Sequence, residues 1–154
     1  MVMVHADNVG LVLPPKVAEV QIIVIPMFDK NPDFEAIYAI FAACSSTVRT
    51  LRAAGFRVEH DFREIYSVAW KFYDWERKGV PLRIEIKPEC MAENQVQIVR
   101  RDNRLKEDVP MKNLVEHVRD LLSDIHKTMF NVAKKERCLY KDCLYTGGIH
   151  DNPK

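Results

Sequence analysis

Apolar residues fall into one unbroken run, several period-two alternations and two long helical stripes, and their order predicts a mixed fold. "VQIIVIPMF" (20–28) is continuous and mostly β-branched, the pattern of a strand covered on both faces. Asn31-Pro32 then offers a helix N-cap and a proline at the first helical position. Ile37, Ile40, Phe41, Cys44, Val48 and Leu51 follow at helical spacing and form one stripe, which Gly55 ends. "FRVEHDF" (56–62) alternates and reads as a strand. Residues 69–78 read as a short amphipathic helix, with Gly79 at its end and Pro81 barring its continuation. In "PLRIEIKP", Leu82, Ile84 and Ile86 share one strand face while Arg83 and Glu85 share the other. "QVQIVRR" (95–101) is another strand. Asp102-Asn103 is a hairpin turn, from which "LKEDVP" pairs back. From about residue 111 to Glu136, Leu114, Val118, Leu121, Leu122, Ile125 and Met129 keep a helical rhythm. Residues 137–154 read as a loose tail. Ahead of all this, 1–13 read as two short strands joined by a turn at 7–10 and stopped by Pro14-Pro15. A βαβ start with a hairpin added predicts an α/β fold, a mixed sheet with helices on its faces.

Length and composition narrow the class. A chain of 154 residues with 47% hydrophobic and 29% charged residues is globular, one domain or one domain plus a tail. Net charge is +1, so any nucleic-acid contact must come from a local patch. Cys44, Cys90, Cys138 and Cys143 are too few and scattered for a disulfide scaffold and fit a reducing compartment. No apolar run is long enough to span a bilayer, and the first residues lack the basic region of a signal peptide.

The survey for chemistry excludes more than it finds. Glycines at 10, 55, 79, 147 and 148 build no nucleotide loop, and Ser45, Ser46, Ser67 and Ser123 sit in no hydrolase context. Cys138, Cys143 and His150 do not complete a zinc set, so neither a metal nor a catalytic residue is expected. Cys44 lies on the helix stripe as a core residue. His5, His60, His117 and His126 read as structural or exposed, and Asp61, Arg63 and Glu64 as a solvated loop. Trp70, Phe72, Tyr73 and Trp75 read as core before they read as a base-stacking platform. The charged row remains. Arg83 and Glu85 point away from the apolar face, Glu76 ends the preceding helix nearby, and Arg100, Arg101 and Lys106 lie on neighbouring strand ends. Such an edge offers carboxylates to base N–H groups and cations to guanine O6 and N7. It serves equally as a cross-strand ion-pair network, and the spacing leaves both readings open.

Three blocks carry a resemblance. "MVMVHADNVGLVLPPKVAEVQIIVIP", "WKFYDWERKGVPLRIEI" and "VQIVRRDNRLKEDVP" resemble the C-terminal part of prolyl-tRNA synthetases of the archaeal and eukaryotic type, over roughly residues 1–136. The resemblance implies a class II anticodon-binding domain, a mixed sheet of about five strands flanked by helices. It implies the end of a catalytic domain or a linker over 1–17, the anticodon-binding domain over 18–136, and a divergent tail over 137–154. The implied partner is the anticodon stem-loop of tRNA for proline, in a cytoplasmic setting. By motif match, Glu76 and Arg83 fall where the family contacts anticodon guanines, and Lys106 falls near a further contact. Lys87, Arg100 and Arg101 are additional candidate contacts. The family's Gly-Pro-Arg/Lys-Asp stretch is here Lys87-Pro88-Glu89-Cys90, so its basic–acidic pair is replaced. The class motif arginines and the proline pocket do not occur in the chain. The expectation is therefore a module without catalysis or cofactor of its own, whose full-length parent would use ATP and Mg and could dimerise through its catalytic domain. The alternative expectation is a diverged protein-interaction or dimerisation module that no longer reads RNA.

Overall fold

The computed structural model describes residues 6–28 and 33–146, with side chains through residue 135. Five strands, β1 (Ile22–Pro26), β2 (Val58–His60), β3 (Leu82–Ile86), β4 (Gln95–Arg100) and β5 (Lys106–Pro110), form one sheet in the order β2-β1-β3-β4-β5. β1 pairs in parallel with β2 and β3, and the β3–β4 and β4–β5 pairs are antiparallel. This is the mixed sheet that the alternations predict.

Helix α1 (Phe34–Ala53) connects β1 to β2, and α2 (Val68–Arg77) connects β2 to β3. The central strand explains their placement. All five residues of β1 are buried, which requires cover on both sides. Ile22 and Val24 join one core with Ile40, Cys44, Val48 and Leu51 of α1 and with Val118, Leu122 and Ile125 of α4 (Leu114–Thr146). Ile23 and Ile25 face the other way, against Val80, Phe72 and Trp75. Each isoleucine so withdrawn from water contributes about 1.5–3 kcal/mol. Cys44 is fully buried in the first core. Burial pushes its thiol up to about 12, so it packs as an apolar group and is no nucleophile.

Some boundaries differ from the sequence pattern. The cap expected at Asn31-Pro32 lies outside the described residues, and α1 is preceded by Asp33 in extended conformation. Ser67 caps α2 by accepting from the Trp70 N–H at 3.3 Å. A short helix α3 (Pro88–Ala92) stands between β3 and β4, opened by its proline, where the apolar rhythm gave no element. Helix α4 continues to Thr146, so the backbone of residues 137–146 is helical where a loose tail was expected, and the rest of that tail lies outside the described residues. Backbone hydrogen bonding propagates a helix through residues whose apolar spacing has lapsed. Cys138, Cys143 and His150 lie outside the described side chains. No helix among the described residues is long and apolar enough to cross a membrane.

In the opening segment Ala6 and Leu11 make an isolated bridge, and most of the first expected strand lies outside the described residues. Asp7 Oδ1 accepts from the N–H groups of Val9 and Gly10 and tightens that turn. The turn docks on the end of α2, where Leu11 N–H donates to the Arg77 carbonyl. Gly79 makes the docking possible. Its φ is +77°, and a Cβ there would meet the Leu11 Cβ at 2.7 Å. Gly79→Ala is expected to cost more than about 1 kcal/mol, read as a lower denaturation midpoint with unchanged slope.

Candidate nucleic-acid interface

Strand register gathers the charged row. Arg83 stands opposite Val99, which stands opposite Lys106. Glu85 stands opposite Gln97, which stands opposite Asp108. Residues two apart on a strand share a face, so Arg83, Glu85, Gln97, Lys106 and Asp108 lie on one side of β3–β4–β5. That side is the one on which α2 packs, opposite the larger core.

Arg83 does not stand free in solvent, as the alternation suggested. Its side chain is 11% exposed. Nη1 donates to Glu76 at 2.8 Å and Nε to Glu85 at 3.0 Å, while the guanidinium lies 3.8 Å from the centre of the Phe72 ring. Glu85 is almost wholly buried beneath it. The physical reason is that β3 has two covered faces. Phe72 and Trp75, read simply as core, bring α2 down over the position where open solvent was expected. Sequence spacing left base reading and an ion-pair network open; the free chain contains the ion-pair network.

The network is not sealed. Among the described residues, Nη2 of Arg83 and Oε2 of Glu76 have no partner, and Glu76 is 27% exposed. Between Glu76, Arg83, Trp75 and Arg101 lies a cleft with space of about 10 Å³, enough for one water and not for a base. Beyond it the row opens. Lys87 Nζ donates to Gln97 Oε1 at 3.0 Å, and Gln97 Nε2 donates to Asp108 at 3.0 Å. Lys106 is exposed and, among the described residues, forms no ion pair.

Two candidate contacts are directed elsewhere. Arg101 is 4% exposed at its side chain. Its guanidinium holds both Asp7 oxygens at 2.8 Å and donates through Nε to the Glu76 carbonyl. That pairing holds the Asp7 carboxyl well below the usual carboxylate range. Arg100 faces the other way and bridges Asp102 and Asp124, the latter on α4. Consecutive strand residues point to opposite faces, so these two arginines cannot serve one surface. Gln97 and Asp108, which complete the row, were not singled out from the sequence. The alternation of β4 and β5 carries them, but only the hairpin register puts them beside Glu85.

The arrangement is a strand face rich in both donors and acceptors, with cations at its outer end. A match to the family described as anticodon binding domain spans residues 21–121, which takes in every strand and the start of α4. The chain belongs to the anticodon binding domain family. The chain is 53% identical over 137 residues to the cytoplasmic proline--tRNA ligase of Arabidopsis thaliana, covering 89% of this chain and 25% of that protein. It is 41% identical to proline--tRNA ligase 2 of Clostridioides difficile, over 89% of this chain and 27% of that protein. The bifunctional glutamate/proline--tRNA ligase of Drosophila melanogaster is 42% identical over 88% of this chain and 8% of its own length. The chain thus spans about a quarter or less of these relatives. The region they share with it is the anticodon-binding domain of prolyl-tRNA synthetase, as the sequence resemblance implied.

Proposed function

We propose that this chain is the tRNA-reading module of a proline--tRNA ligase and holds the anticodon arm of tRNA for proline on the α2-side face of β3–β4–β5. The observation that carries this reading is the preformed Glu76–Arg83 pair, with one carboxylate oxygen and one guanidinium nitrogen still unpaired, at the head of a polar row. A guanine edge offers N–H donors to the first and O6 or N7 acceptors to the second. Because the cleft between them is closed to a base, reading takes place at its rim or after the Arg83 side chain shifts. Lys87 stands next to the altered Glu89-Cys90 stretch and supplies a cation there through its bond to Gln97. Lys106 supplies another at the sheet edge, suited to phosphate. Arg100 and Arg101 are structural.

In such a ligase, the ATP-dependent joining of proline to tRNA would belong to the catalytic domain. A cytoplasmic location is part of this proposal, in line with the name of the Arabidopsis relative.

The test is filter binding of the purified chain to tRNA for proline and to a tRNA with a different anticodon, at two salt concentrations. The tRNA for proline is expected to bind more tightly at both, with each affinity falling as salt rises. Glu76→Gln replaces an acceptor by a mixed group and should reduce the preference by about 1–3 kcal/mol. Lys106→Ala should weaken both tRNAs about equally, as for a phosphate contact. Equal weak binding of both tRNAs by the unaltered chain would overturn the reading.

A further inference from the structure

A second concave feature lies at the far end of α2 from Glu76. β1 ends at Pro26 and β2 at His60, and the chain returns from these ends into α1 and α2, which pack on opposite faces of the sheet. In an open α/β sheet that divergence leaves a crevice outside the carboxyl ends of the strands, the usual place for a ligand. Here it is a groove of about 550 Å³, within the range of small-molecule sites. Phe34, Tyr38 and Phe41 of α1 line it together with Phe62 and Tyr66, from the segment between β2 and α2; Phe41 and Phe62 meet edge to face, ring centres 4.7 Å apart. Phe34 is 85% exposed and Tyr38 78%, although each could have been a polar residue at no cost to either core.

Lys71 is the independent sign of a ligand. It lines the groove and is only 5% exposed. Its Nζ makes one hydrogen bond, to the Asp61 carbonyl at 3.5 Å, the outer limit for such a bond. An ammonium carries three donors, and among the described residues the other two have no partner. A buried cation left this short of acceptors is costly unless something supplies them. Among the described residues, two nearby carboxylates are engaged elsewhere. Asp61 holds Arg63 and the Trp75 indole, and Asp74 holds Arg63 and Lys78. Glu64, on the groove lining, is exposed.

We propose that this groove binds a small aromatic anion, with its carboxylate or phosphate on Nζ of Lys71 and its ring between the α1 aromatics and Tyr66. The charged groups on the lining are the buried Lys71 and the exposed Glu64; the buried cation takes one anionic head, and the Glu64 carboxylate stays in water. The aromatic walls select a flat apolar body, through offset or edge contacts. The groove touches α2 at its first turn and Glu76 lies in its last, so the proposal does not rest on the RNA reading.

Titration of the isotopically labelled chain, followed by amide NMR shifts, tests it in two arms. One arm uses indole-3-carboxylate with neutral indole as its control; the other uses adenosine 5′-monophosphate with adenosine. Saturable shifts at Tyr38, Tyr66 and Lys71 are expected in at least one arm, and the responding arm identifies the head group. In that arm the anion should bind at least about tenfold tighter than its neutral control, the worth of a charged hydrogen bond. Lys71→Met keeps the apolar stem and should bring the two level. Phe34→Ala, at an exposed position that folding does not need, should weaken anion and neutral control alike. If Lys71→Met fails to fold, the anion-to-neutral ratio in the unaltered chain and the effect of Phe34→Ala decide. No saturation up to about 5 mM in either arm, a dissociation constant too weak to denote a site, would overturn the proposal. So would shifts confined to other surfaces, or an anion preference that survives Lys71→Met.

Discussion

Arg83→Ala is expected to cost about 3–5 kcal/mol of folding stability, because it strips the cation from a nearly buried carboxylate. Glu85 is 1% exposed at its side chain and Arg83 is its ion-pair partner. Glu76 loses the same guanidinium, and Phe72 loses the cation above its ring. Guanidinium denaturation reads the loss directly as a lower midpoint. Arg83→Lys should recover part of it, since an ammonium keeps the charge but lacks the fork that spans two carboxylates. The double variant Arg83→Met/Glu85→Leu removes both charges, and replacing a whole buried pair with apolar groups is often neutral or stabilising. It should therefore fold about as well as the unaltered chain while losing the preference for tRNA of proline. That pattern separates the structural from the reading role of Arg83. An Arg83→Ala loss below about 1 kcal/mol, the worth of a surface pair, would show that the network is slack.

Asp61→Ala should be the next most damaging, and its charge should give the protein an acid edge. The Asp61 carboxylate accepts from Arg63 Nε at 2.9 Å, from the Arg63 backbone N–H at 3.1 Å and from the Trp75 indole at 2.7 Å. Burial pushes its carboxyl up, but these donors outweigh burial and hold it at about 2, against an ordinary value of 3.8. The folded value is depressed, so the stabilisation is fully present above pH 3.8 and is lost as pH falls toward 2. A shift of that size corresponds to about 2 kcal/mol. Removing the side chain altogether leaves the part-exposed Arg63 guanidinium with Asp74 alone and the part-buried Trp75 indole N–H without its acceptor, at about 1–3 kcal/mol for stranding such a group. Melting temperatures across pH 2 to 5 check both statements. The unaltered chain should lose stability over that window, and Asp61→Asn should flatten the part that belongs to Asp61. An unchanged slope in Asp61→Asn would assign the acid loss to other carboxylates, among them Asp74, which Lys78 and Arg63 hold down against burial.

The sheet was legible in the sequence because each strand carries its own period. The unbroken run of β1 announced cover on both faces, and that same run held the correction to the site. Ile23 and Ile25 need a partner layer, so the second face of β3, one strand away, could not be open solvent. Asp61 and Arg63 were read as a solvated loop for a similar reason. A charged triplet looks like surface until the indole of Trp75, fourteen residues on, proves to be its acceptor's partner. The direction of Arg101 depended on Asp7, ninety-four positions away, which no local pattern encodes. Helix α4 outran its apolar stripe because continuing a helix adds a backbone bond per residue fixed.

The two rims of the sheet have a consequence for handling the protein in concentrated solution. One rim is β2, three residues long; the other is β5, whose outer positions include Lys106, Glu107 and Asp108 and which closes on Pro110. Short, charged and proline-ended strands make poor templates for another chain's backbone. Aggregation should therefore begin not by stacking of native molecules edge to edge but through partly opened ones, once α2 lifts and bares Ile23 and Ile25.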